Sequence, residues 1–329
     1  MNLSGKKVLI TGAGGFVGSH LVEKLVHHGC KTRCFIRYTS RNDQGMLGDI
    51  PEETYTGLEI IAGDLRDSHA VHEAMKGIDV VFHLGALIAI PYSYFHPTEV
   101  FQTNVLGTLH VMQSAREHGI EKIVHTSTSE VYGSAQYTPI DEKHPLQAQS
   151  PYSASKIAAD KLVESFHASY GLPVATIRPF NMYGPRQSAR AVIPTIISQT
   201  LTQNEIFIGK LNTTRDFTYV CDTAEAFMQV AECDESIGRT MNVGSNTEIS
   251  IGDLTRMIID LIGNRVEIIQ DDRRFRPENS EVQRLRADSS AASEILGWHP
   301  STSLKDGLKK TIEWISSRLT IYRAREYVI

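Results

Sequence analysis

At 329 residues, with 41% hydrophobic and 22% charged side chains, the chain is long enough for a large core and is composed like an ordinary globular protein. A formal net charge of −5 argues against nucleic acid as a partner, and no apolar run approaches the length of a membrane span. The opening "MNLSGKKVLITG" runs straight into a strand pattern with no leader to remove, and the four cysteines (Cys30, Cys34, Cys221, Cys233) lack zinc-type spacing, so a cytoplasmic protein with reduced thiols and no metal is expected.

In chain order, "KVLIT" at 7–11 reads as a strand, and a glycine-rich turn follows. "GSHLVEKLVHHG" then shows helical spacing at Leu21, Leu25 and Val26 and stops at Gly29. "KTRCFIR", "LEIIAGD", "DVVFHLGA", "KIVHTST" and "PVATIRP" are further strands, and helical patterns cover 67–76, 97–118 and 152–170. Strands alternating with helices predict an α/β fold, a Rossmann-type doubly wound parallel sheet. After Pro179 the rhythm loosens and turn formers and arginines accumulate, which predicts a smaller, interleaved C-terminal α/β domain for substrate. The expected division is 1–180 plus about 217–245 for the dinucleotide domain, and 181–216 plus about 246–329 for the second. One or two strands near Tyr219 and 241–244 are expected to rejoin the sheet.

"TGAGGFVG" sets Gly12, Gly15 and Gly18 in G-x-x-G-x-x-G spacing between strand and helix. There glycines permit a tight turn and close approach of a pyrophosphate, and the helix start at Phe16 and Val17 offers free amides. The second strand ends in "FIRYTSRND", where many NAD binders carry an acid for the ribose hydroxyls. Arg37 comes first instead, then Ser40 and Arg41, and arginine suits a 2′-phosphate, so NADP(H) is favoured over NAD(H). Asp43 remains able to reach a ribose. Asp64 and Leu65 end the third strand and are expected near adenine. Leu84, Gly85 and Ala86 end the fourth and are expected along the phosphates and ribose, with Thr103 of "QTNVLGT" nearby.

Tyr152 and Lys156 are spaced i, i+4, on one helix face. A free phenol titrates near roughly 10, so making it a base at neutral pH takes about 4 kcal/mol of differential stabilisation. A nearby ammonium and a positive nicotinamide are the expected sources. Tyr152 then serves as general base on a substrate hydroxyl that Thr128 holds in line. A lone Y-x-x-x-K is common on helix surfaces; the glycine turn and polar strand end upstream favour function.

The ordered set "TGAGGFVG", "GDLRD", "HLGA", "NVLGT", "STSEVYG", "YSASK", "RPFNMYGP" and "TRDFTYV" resembles the extended short-chain dehydrogenase/reductase superfamily over nearly the whole chain. The resemblance implies a nucleotide-diphosphate sugar substrate and a nicotinamide cofactor held tightly and recycled. It implies diphosphate or sugar contacts from Asn181 and Arg215, a base site at Val192 and Ile193, and a phosphate contact from Arg276. Relatives pair two long helices across a two-fold axis, which implies a homodimer through 97–118 and 152–170. The family's 4,6-dehydratases carry Thr-Asp-Glu before "VYG", the glutamate taking the C5 proton and the aspartic acid protonating the leaving C6 hydroxyl. Here the run is Thr128-Ser129-Glu130, so the usual acid is missing. Simple epimerases typically lack the glutamate, whereas UDP-glucuronate decarboxylases show the same "TSE". "ALIAIPYSY", "QSARAVIPTII" and "RPENSEVQRL" resemble the dehydratases of nucleotide-linked N-acetylglucosamine in legionaminic-acid-type pathways. The leading expectation is therefore a 4,6-dehydratase, with decarboxylase and 4-epimerase as alternatives. The C6 proton is expected from Glu130, from a water held by Ser129, or from Tyr94 or Arg186. Some proteins of this fold are non-catalytic regulators, but those usually lose the Tyr or Lys present here.

Overall fold

The computed structural model describes residues 1–322; the last seven positions of the expected 246–329 segment lie outside the described residues. The first half alternates as the sequence pattern requires. β1 (Lys7–Thr11), α1 (Phe16–His27), β2 (Lys31–Arg37), the short α2 (Glu52–Tyr55), β3 (Glu59–Gly63), α3 (Ser68–Ala74) and β4 (Val80–His83) come first. α4 (Ile90–Phe95), α5 (Pro97–Phe101), α6 (Gly107–His118), β5 (Lys122–Thr126), α7 (Pro151–Tyr170) and β6 (Val174–Pro179) follow. With β11 (Thr240–Val243) the strands form one seven-stranded parallel sheet, ordered β11–β6–β5–β4–β1–β2–β3. The order reverses between β4 and β1, which opens a crevice at the carboxyl ends of these strands.

Residue alternation assigns the two faces. Val8 and Ile10 of β1 join the core of Leu21, Leu25 and Phe227, whereas Leu9 joins that of Val71, Val111 and Val163. Successive side chains of a strand point to opposite faces, so covering both makes β1 apolar without interruption. The expected single helix over 97–118 is interrupted: Gln102–Leu106 adopts π geometry between α5 and α6. Within that turn the Asn104 amide donates to the Leu87 carbonyl and the Ser155 hydroxyl at 3.0 and 2.9 Å. Single π turns recur at functional sites.

The second core gathers Ile193, Ile196, Phe217, Leu254 and Leu308. It is built from β7 (Asn181–Tyr183), α8 (Val192–Thr202), β8 (Glu205–Ile208), β9 (Thr214–Arg215), β10 (Phe217–Tyr219), β12 (Ile249–Ser250), α10 (Ile251–Ile262), β13 (Glu267–Gln270) and α12 (Leu304–Ser316). The segment near Tyr219, expected to rejoin the large sheet, pairs instead with β7; only β11 rejoins. α9 (Val220–Glu232) returns to the first core, packing on α1. α11 (Ser290–Leu296) does the same, because Ala292 and Trp298 bury with the first core and the Trp298 indole donates to the Asp222 carbonyl at 2.9 Å. That stretch therefore sits with the sheet rather than with the rest of 246–329. Among the described residues no helix is long and apolar enough to cross a membrane.

Candidate active site

The crevice is a cavity of about 700 Å³. Its first wall is the turn between β1 and α1. Gly12 has φ +74°, and a Cβ there would stand 2.8 Å from the Gly85 amide nitrogen. A Cβ on Gly18 would fall on the Gly12 carbonyl oxygen. Gly15 caps α1 without any side-chain hydrogen bond, so the first-turn amides stay free for an anion. These features fit a dinucleotide pyrophosphate. Gly12, Gly15, Phe16, Val17, Gly18, Leu84, Gly85 and Ala86 all line the cavity, as does Arg37. Gly12→Ala places a Cβ against backbone and forces a disfavoured φ, so the variant is expected to lose about 1–3 kcal/mol of stability together with dinucleotide binding. Denaturant titration and quantitation of co-purified nucleotide check both.

The middle of the cavity is formed where β5 ends and α7 begins. Thr128, Ser129, Glu130, Tyr152 and Lys156 line it together. A Ser150–Ser153 capping box with Pro151 in the first turn starts α7 and fixes Tyr152 there. Lys156 donates to the Thr126 carbonyl at 2.6 Å, which ties the helix to the end of β5. The Thr128 hydroxyl accepts from the Glu130 amide at 3.2 Å and lies near enough to the Tyr152 phenol to favour its anion. Glu130 faces Arg276 at 3.8 Å across the cavity.

Burial dominates the electrostatics. It pushes the Tyr152 phenol up, and the Thr128 hydroxyl only partly opposes this. In the chain by itself the lowering expected from Lys156 is not seen: desolvation of the phenolate, with the Glu130 and Asp160 charges, raises the phenol. Burial also brings Lys156 down to about 8, against the pull of Asp160. Beneath them Asp160 accepts from Ser127 at 2.8 Å, from His125 at 3.2 Å and from Arg178 at 2.9 Å. Burial works against this carboxylate, yet His125, Arg178 and Lys156 hold it at about 2.

The expected substrate residues divide. Asn181 and Arg276 line the far end of the cavity, each with a buried polar atom lacking a hydrogen-bond partner, Oδ1 and Nη1 respectively, the latter being the atom that faces Glu130. The others lie outside that lining. Arg186 is turned onto Glu23 at 2.5 Å and Ser19 at 3.4 Å. The Tyr94 hydroxyl is bonded to Ser280 at 2.5 Å. Arg215 is buried beside Glu281 at 3.6 Å, with Glu130 and Arg276 in electrostatic range. Val192 opens α8, and Ile193 is buried in the second core. On the cofactor side, Ser40 and Arg41 project from the surface, and Asp64 closes on Arg66 at 2.6 Å. Leu65 is buried against Gly85 and Gly107, and Thr103 is half-buried in the π turn.

Asp43, which the sequence left able to reach a ribose, lines the cavity. Several other residues were not expected: Thr39, Gln44 and Gly45 complete the wall beside Gly14, and Gln187, Ser188 and Arg190 line the far end. Asn104 pins Leu87, at the cavity edge, to α7. Its signal was an asparagine inside a helical run, where the side chain competes for backbone partners. Asp160, one turn beyond Lys156, carried the same i, i+4 signal as the Tyr-Lys pair.

Comparison with known proteins agrees with this geometry. The family described as GDP-mannose 4,6 dehydratase matches residues 9–311. A putative UDP-glucose 4-epimerase of Methanocaldococcus jannaschii is 34% identical, over 94% of this chain and 98% of that protein. A UDP-N-acetyl-alpha-D-glucosaminuronate decarboxylase of Bacillus cytotoxicus is 33% identical, over 94% and 97%. The structure of a dTDP-glucose 4,6-dehydratase from Streptomyces venezuelae, with NAD bound, is 27% identical, with a TM-score of 0.85 over 96% of this chain and 99% of that one. The chain belongs to the GDP-mannose 4,6 dehydratase family, within the extended short-chain dehydrogenase/reductases that act on nucleotide sugars as dehydratases, epimerases and decarboxylases.

Proposed function

We propose that the protein is a nucleotide-sugar 4,6-dehydratase acting on a UDP- or GDP-linked N-acetylhexosamine. The observation that carries this reading is the Glu130 carboxylate in the cavity wall beside Thr128 and Tyr152. A nicotinamide dinucleotide seated on the glycine turn supplies the hydride acceptor for C4 and the hydride donor for C6. Tyr152 takes the C4 hydroxyl proton, with Thr128 orienting that hydroxyl and Lys156 contributing the chain's own positive charge. The C4 ketone acidifies the C5 proton, which Glu130 removes. Ser129 brings no acid, and Tyr94 and Arg186 are engaged by Ser280 and Glu23. Glu130 then returns its proton to the departing C6 hydroxyl, directly or through a water held by Ser129, and water leaves from the same face. As hydride adds at C6, C5 takes a proton back from solvent by way of Glu130, and Tyr152 releases the C4 proton to solvent.

Decarboxylation of a nucleotide-linked uronate is the second reading, favoured by Ser129, because departing CO2 needs no acid at that position. Mass spectrometry after incubation with UDP- and GDP-N-acetylglucosamine and with UDP-glucuronate separates the outcomes. Loss of water is expected. Loss of CO2 from glucuronate alone overturns the dehydratase, and an unchanged mass with inverted C4 points to the epimerase.

The cofactor is read as a tightly held, recycled nicotinamide dinucleotide. Arg37 in the cavity wall supports NADP(H) over NAD(H), although the S. venezuelae relative holds NAD. A homodimer acting in the cytoplasm completes the reading. On these two stretches Val100, Met112 and Phe166 are buried within the subunit. Phe101 and Leu106 are exposed instead, with Val105, Leu109, Ile157 and Leu162 half-buried. Light scattering at micromolar protein is expected to give twice the subunit mass; a monomer removes this element.

A further inference from the structure

The arginine that points toward NADP(H) is not free. Arg37 lines the cavity at the end of β2, where the adenosine ribose of a dinucleotide would lie, and its guanidinium is 3.3 Å from the Glu99 carboxylate. Glu99 sits in the first turn of α5, sixty-two positions along the chain. It is held there from two further sides, by the Tyr92 hydroxyl at 2.5 Å and by Arg66 at 3.7 Å. The Tyr92 hydrogen bond, with Arg37 and Arg66, keeps the Glu99 carboxyl below its usual range, so it is ionised wherever the protein is folded near neutrality.

We infer that Glu99 sets the cofactor selectivity of this site by opposing a 2′-phosphate at Arg37. The inference rests on the reading of Arg37 as the contact to the ribose 2′ position. Any anion that touches the Arg37 guanidinium comes closer to Glu99 than the screening length of roughly 8 Å at physiological salt. A 2′-phosphate carries about two negative charges there and must share the guanidinium with the carboxylate. A ribose 2′-hydroxyl carries no charge and meets no such repulsion. Arg37 alone would favour the phosphorylated cofactor, and Glu99 takes most of that preference away. The site thus tolerates NAD despite an arginine where an acid usually stands. Tyr92 and Arg66 fix the opposing charge, so it cannot swing away at little cost when the phosphate arrives.

Glu99→Gln removes the charge and keeps an acceptor for Tyr92. Two readouts serve: the NADP-to-NAD ratio released from the denatured purified protein, by mass spectrometry, and the Kd values of stripped protein for NADPH and NADH, by cofactor fluorescence. Glu99→Gln is expected to shift both toward the phosphorylated form by about fivefold, the scale of one exposed charge pair, and less at high salt. Combining it with Arg37→Ala should cancel the shift. An unchanged ratio in Glu99→Gln, or an equal shift with Arg37 absent, overturns the inference. Arg37→Ala alone is the separate check on its basis: unchanged selectivity there removes Arg37 from the 2′ position, and the role of Glu99 falls with it.

Discussion

Glu130→Gln lowers turnover to the 4-keto-6-deoxy product by about a thousandfold, the usual contribution of a general acid–base group, while C4 oxidation survives. The two halves of the reaction use different residues. Tyr152, Thr128 and Lys156 serve the C4 hydroxyl, whereas Glu130 serves C5 and C6. Glutamine fills the same space and still faces Arg276, but it cannot accept the C5 proton. Reduced cofactor should then accumulate on the protein, seen as absorbance near 340 nm, an ordinary property of a reduced nicotinamide. The accumulation separates loss of the base from collapse of the site, which would suppress both steps. Retained turnover would take Glu130 out of the mechanism. The same variant would silence a decarboxylase less, since CO2 departs without a C5 proton transfer to this side chain.

The parts of the molecule fixed by local rules were legible in the sequence. The apolar runs of β1 and β4 to β6 could only be strands covered on both faces, and glycines at 12, 15 and 18 with no capping side chain implied an anion at the start of α1. Thr128, Ser129, Glu130, Tyr152 and Lys156 converge because two short segments, each legible, end at the same edge of the sheet. The arginines were not legible. Arg186 pairs with Glu23 across 163 positions and Arg37 with Glu99 across 62, and nothing local marks either partner. A turn-rich arginine reads as a phosphate ligand until its counter-ion is seen. The segment near Tyr219 misled for a related reason, since a buried strand has the same composition whether it joins the large sheet or pairs with β7. The burial that raises Tyr152 in the chain by itself was not legible, because the sequence shows the neighbouring charge but not the desolvation.

Asp160→Asn is expected to destabilise the folded chain by about 3–5 kcal/mol, because it leaves a buried guanidinium without its counter-ion. Arg178 donates to one Asp160 oxygen from Nε and Nη2, at 3.2 and 2.9 Å, with side-chain exposures of 4% and 1%. His125 donates to the other oxygen, and its Nδ1 is buried with no partner. A neutral ring satisfies that arrangement, while a protonated one would bury an unmet N–H, in keeping with burial lowering His125. The pH dependence follows from the signs. Asp160 is held down at about 2, so its contribution is complete above the unfolded carboxyl value of roughly 3.9 and is lost as pH falls through 2. His20, at about 4, and His83 and His125 are also pushed down by burial, so the unfolded chain binds protons below about 6.5 that the folded chain refuses. Each such histidine removes roughly 1.4 kcal/mol of stability per pH unit over its window, in wild type and variant alike. Thermal melts should therefore show both proteins losing stability from pH 6.5 downward. The gap between them, about 5 °C for a chain of this length, should stay nearly constant from pH 8 to 5 and close only toward pH 2. A gap that widens between pH 6.5 and 5 would mean that His125, not Arg178, is the partner whose charge the carboxylate supports, because the wild-type ring would then take up a proton that the variant refuses. A gap under about 2 °C at neutral pH would mean that the buried network contributes nothing net, with Arg178 satisfied by the Tyr132 hydroxyl, which it meets at 3.0 Å.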